Sequence, residues 1–139
     1  MFMKEITEIF KLLSDESKLR ILMLLTKRRL CVCQIMGVLN MSQPLVSRNL
    51  SLLSKAGFLS GTREGKLIFY SINKKPSKEN MLTLSMLKKL LKNNKTLLRD
   101  VKSLKECEDF QKKTGKCDME TFKAFMGQKA KKKNGGRHA

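Results

Sequence analysis

A chain of 139 residues is long enough for one domain with a buried core and a short appendage. Its 30 Lys and Arg outnumber 12 Asp and Glu, a formal charge of +18 that points to nucleic acid or another polyanionic surface as partner. No apolar run approaches the ~18 residues of a membrane span, and Met-Phe-Met-Lys-Glu at the start lacks the apolar stretch of a secretory signal. A cytoplasmic location with no membrane partner is therefore expected, and the four cysteines are expected as thiols for metal or redox chemistry. No nucleophile–base set or cofactor loop is present, so an enzyme is not expected.

In chain order the pattern is helical first. Ile6, Ile9, Phe10 and Leu13 recur at three- and four-residue spacing, which predicts an amphipathic helix from about Met3 to Leu13. Ser14-Asp15 stops it and caps a second helix, about Glu16 to Lys27, rich in Leu and Ile. A short third helix is expected over roughly Leu30 to Leu39. After the turn Asn40-Met41-Ser42, Ser42 caps a fourth helix with Pro44 in its first turn. This helix runs to about Ala56, and Gly57 suits the position just past its end.

Beyond Gly57 the period shortens to that of strands. Residues 58–63 and 66–72 are β-prone runs joined at Glu64-Gly65, a hairpin signal. Pro76-Ser77 then announces a long helix, about Lys78 to Lys105, whose apolar stripe calls for a partner molecule. A short helix is expected around Asp118 to Met126, before a Lys-rich, Gly-Gly tail expected to be disordered. Residues 1–104 carry 20 basic and 7 acidic side chains, so +13 of the net +18 belongs to the folded region.

This order of elements predicts a mainly α fold with a β-hairpin wing, a winged helix-turn-helix. Residues 1–105 would form the DNA-binding and dimerisation domain, and 106–139 a Cys-containing, Lys-rich, partly disordered extension. The fourth helix would enter the major groove while the hairpin lies along phosphates or the minor groove. Val46, Leu50 and Leu53 share its core face. Ser42, Gln43, Leu45, Ser47 and Arg48 are assigned to double-stranded operator DNA, with Arg63 and Lys66 from the hairpin. Gln matches adenine and Arg matches guanine by bidentate geometry.

Four ordered motifs across residues 5–104 resemble the ArsR/SmtB family of dimeric metalloregulatory repressors. Residues 13–22 (LSDESKLRIL) are similar to the family's entry to its second helix, and residues 30–35 (LCVCQI) to its metal box. Residues 42–59 resemble its reading helix, and Arg63-Glu64-Gly65-Lys66 with Phe69-Tyr70 its wing. The resemblance implies a homodimer paired through first and last helices, bound to a palindromic operator and released by an inducer. Two positions depart from the pattern. Asn49 stands where the family usually has His, and Met36 where arsenic-sensing members often carry a third Cys.

The thiols carry their own chemistry. On a regular helix Cys31 and Cys33 lie about 200° apart, so one ion takes both sulfurs only if the first turn is non-helical or unwinds. Binding would then deform the start of the third helix, which favours release from DNA. Thiolates select soft species: As(III) or Sb(III) as inducer, alternatively Cd, Pb or Zn. Lys27, Arg28 and Arg29 would lower the thiol pKa values. The assigned ligand set is Cys31, Cys33, Cys107 and Cys117, one of the last two completing a three-sulfur site in the same chain or its dimer mate. A C-x-C with a C-x₉-C fits no common zinc knuckle. His138, the single histidine, lies in the tail and is assigned no role. A thiol-redox repressor and a non-sensing basic RNA-binding or architectural protein are the alternatives.

Overall fold

The computed structural model describes residues 3–115 and 123–129. Helices α1 (Met3–Leu13) and α2 (Glu16–Leu25) are separated by Asp15, which caps α2 by accepting the Ser17 N–H at 3.0 Å. Lys18 bonds the same carboxylate and holds its pKa below the ordinary value. Strand β1 (Leu30–Cys31) leads directly into α3 (Val32–Leu39). Asn40, left-handed at φ 55°, turns the chain toward α4 (Gln43–Lys55). Ser42 caps α4 through the Leu45 N–H.

Strands β2 (Leu59–Glu64) and β3 (Leu67–Ile72) form the hairpin, with Glu64 opposite Leu67 and the turn at Gly65-Lys66. β1 adds to β3 on its other side, Leu30 opposite Tyr70 and Cys31 opposite Phe69, giving the strand order β1-β3-β2. Gly57 is required where α4 hands over to this sheet. Its φ is +84°, and a Cβ there would sit 3.2 Å from the Asn80 amide nitrogen, which donates to Ala56 O.

The core is drawn from every layer. Ile21 and Leu22 of α2, Ile35 of α3, Val46, Leu50 and Leu53 of α4, and Phe58 are fully buried. Each such side chain contributes about 1.5–3 kcal/mol of burial. On α4, Gln43, Leu45, Ser47 and Arg48 are exposed, while Asn49 is 1% exposed among the core residues.

Two expectations are corrected and a third is met in part. The helix expected over 78–105 is two helices, α5 (Lys78–Leu90) and α6 (Lys95–Thr114). Asn94 starts the second by accepting the Leu97 N–H at 3.1 Å, and the break turns α6 back onto α2 and α3. The third helix begins at Val32, because Leu30 and Cys31 are committed to the sheet. The helix expected around 118–126 appears as helical residues 123–129, whereas 118–122 and the tail lie outside the described residues.

A largely buried ion pair ties α6 to α2. Asp100, 5% exposed, accepts from Arg20 Nε at 3.0 Å and Nη2 at 2.8 Å, and Arg20 also reaches Leu39 O at 3.4 Å. Removing the carboxylate strands a partly buried guanidinium. Asp100→Ala is expected to destabilise the fold by about 2–4 kcal/mol in urea titration, and Arg20→Met/Asp100→Ala by clearly less. Equal losses in the single and double variants would show that the pair is not the reason α6 is held.

Candidate inducer and DNA interface

Cys31 sits at the junction of two elements. Its backbone is extended (φ −92°, ψ 170°), its Cα pairs with Phe69, and the residue is 1% exposed. The next residue starts α3, and Cys33 in its first turn is half-buried. The expectation that a regular helix would keep the two sulfurs apart is therefore corrected. Pairing with the wing has already taken Cys31 out of the helix. Gln34, 2% exposed, fastens this junction: Oε1 accepts the Cys31 N–H at 2.9 Å, and Nε2 donates to Gln111 Oε1 at 3.0 Å. Neither glutamine was singled out in the sequence, because the contact joins residues 77 positions apart and has no local signature.

Cys107 projects from α6 into the same neighbourhood. It is 2% exposed, and burial pushes its thiol up to about 12, the nearby Cys31 adding to the rise while Lys129 and Arg28 oppose it. Among the described residues no group of three His, Cys, Asp or Glu is gathered closely enough to hold an ion as it stands. Cys107 thus lies near Cys31, with Cys33 two residues further along the chain, and the three are not assembled into one cluster. Cys117 lies outside the described residues.

Two of the three basic residues expected to activate the thiols, Arg28 and Arg29, have acidic partners. Arg28 Nη1 bonds Glu108 Oε1 at 2.8 Å. Arg29 bonds both oxygens of Glu64 at 2.6 and 3.0 Å, and its guanidinium lies 4.6 Å from the Phe69 ring centre. These ion pairs join the thiol segment to α6 and to the wing, and Arg28 still acts on the Cys107 thiol. The pair is solvent-exposed and contributes orientation more than stability.

The N-terminal turns of α4 present Gln43, Leu45, Ser47 and Arg48 to solvent, with Ser42 exposed as its cap. Exposed Arg63 and Lys66 flank the hairpin turn, Arg63 bonding Gly65 O at 3.3 Å. A helix-turn-helix with such a hairpin beside it is a winged helix-turn-helix protein.

The profile described as "Bacterial regulatory protein, arsR family" matches residues 15–60. The chain is 42% identical over 66 residues to MJ1325, an uncharacterized HTH-type transcriptional regulator of Methanocaldococcus jannaschii, covering 47% of this chain and 74% of that protein. It is 40% identical over 67 residues to the arsenical resistance operon repressor of Escherichia coli K12, covering 48% of this chain and 57% of the repressor, so it spans little more than half of that relative. The homodimeric winged helix-turn-helix domain of Mb0332 from Mycobacterium bovis shares the fold, with a TM-score of 0.55 and 22% identity over 66% of this chain and 82% of that one. The chain belongs to the ArsR family.

A thiol held protonated by burial stabilises the fold fully below its unfolded value, and that contribution is lost as pH rises through its folded value. For Cys107 the window runs from 9.0 to about 12. The wild type is expected to lose stability relative to Cys107→Ala across that window, by up to about 1.4 kcal/mol per pH unit in urea titrations. Parallel pH profiles for the two proteins would show that Cys107 does not titrate in this way.

Proposed function

We propose that this protein is a transcriptional repressor, a homodimer on double-stranded operator DNA, released when As(III) or Sb(III) binds the thiolates of Cys31 and Cys33 with Cys107 as third sulfur donor. The observation that carries this reading is the pairing of Cys31 with Phe69. It makes the first thiol part of the wing's sheet and the immediate start of the first helix of the helix-turn-helix.

The donor set fits a soft species: sulfur ligands, no histidine among the described residues, and one half-buried thiol to admit it. Each sulfur joining As(III) replaces a hydroxide, which leaves as water with the thiol proton, and no oxidation state changes. Drawing Cys107 and Cys31 onto one centre shifts β1 against β3 and α3 against α6. The inducer then favours a head that differs from the one DNA selects. Exposed apolar side chains on α1 (Met3, Phe10), α5 (Met81, Leu82, Met86, Leu90) and α6 (Leu98, Val101) supply a face for the second copy. Cd, Pb or Zn is the alternative inducer for the same sulfurs.

The proximity of buried Cys31 and Cys107 favours a second reading, in which peroxide or polysulfide oxidises this pair and releases DNA.

Fluorescence anisotropy of an operator duplex decides between them, with arsenite, antimonite, cadmium, zinc or polysulfide added. Arsenite is expected to release DNA from the wild type and from Cys117→Ser. Cys31→Ser/Cys33→Ser should stay bound, and Cys107→Ser should require at least tenfold more arsenite. Release that survives the double substitution would refute the thiol assignment, and release by polysulfide alone would establish the redox reading.

A further inference from the structure

Residues 123–129 pack against α6 and the end of α3. Phe125 is 2% exposed and seated against Phe110 of α6, the ring centres 5.6 Å apart. One turn further, the Lys129 ammonium donates to Gly37 O and Val38 O, each at 3.1 Å, and to Ser103 Oγ at 2.6 Å. Ser103 donates its own hydroxyl to Val38 O at 2.8 Å. Gly37 and Val38 belong to the last turn of α3, where carbonyls lack intrahelical partners and the helix dipole favours positive charge. The Asn40 turn and α4 follow within a few residues.

We propose that Lys129 is a positioning residue for operator binding: it clamps the C-terminal end of α3 to α6 and so sets the angle at which α4 meets DNA. The inference rests on the DNA-binding reading above, though not on the identity of the inducer. It completes a pattern, since Gln34 and Gln111 fasten the other end of α3 to the same helix. The residue pays a desolvation cost, seen in an amine pKa below the ordinary value, that a merely solvated lysine would avoid. Glu106, Cys107 and Asp100 on α6 offset that cost and Arg20 on α2 adds to it.

The test uses the full chain and a duplex selected by the wild type from a random library. Lys129→Met, which keeps the aliphatic stem, is expected to bind that duplex about tenfold more weakly, and Lys129→Arg to recover most of the loss. The slope of affinity against salt should not change, because Lys129 contacts no phosphate. Amide exchange at Asn40–Leu45 should quicken in Lys129→Met while that of β2 and β3 stays as in the wild type. Wild-type affinity in Lys129→Met, a reduced salt slope, or uniformly faster exchange would each overturn the proposal. If the wild type selects no duplex, the DNA-binding reading itself fails, and exchange at the Asn40 turn still judges the clamp.

Discussion

Two residues of backbone pairing govern the thiol region. By laying Leu30 and Cys31 along β3, the chain removes Cys31 from α3, buries it, and makes it a neighbour of the wing. A strand this short has little stability of its own. It is held by what surrounds it: Arg29 bridged to Glu64 and Phe69 on one side, Gln34 bonded to the Cys31 N–H on the other. A segment fixed by several modest contacts is well suited to be displaced by one strong ligand.

From that junction the reading head can be followed as a chain of attachments. α3 is bound to α6 at its start through Gln34 and Gln111 and at its end through Ser103 and Lys129. α6 is bound to α2 through Asp100 and Arg20. α4 depends on α3 by a turn at Asn40 and on the core by Val46, Leu50 and Leu53. Because Cys107 lies on α6 between the two attachments to α3, any ligand joining it to Cys31 acts on a helix pair that also positions α4 and its exposed side chains.

Much of this was legible in the sequence. Helical spacing of Leu and Ile located α1, α2 and α4. Ser42 with Pro44, and Gly57 and Gly65 at positive φ, marked ends and turns through local chemistry. The break between α5 and α6 was marked only by Asn93-Asn94, inside a stripe of leucines that continues on both sides. β1 was hidden because two residues carry no period, and its pairing depends on a strand nearly forty residues away. The glutamine link, the Arg20 pair and the Lys129 clamp join distant segments, so the sequence showed their residue types but not their partners. The thiol pair was visible at once, whereas the extended backbone of Cys31 was not.

The central claim is that thiol capture loosens β1 from the wing. Amide hydrogen exchange of the DNA-free protein, with and without saturating arsenite, tests it most directly. Faster exchange at the β1–β3 pairing and in the first turn of α3, with α1 unchanged, is the result this account predicts. Saturation of the thiols with the β1–β3 amides as protected as before would contradict it.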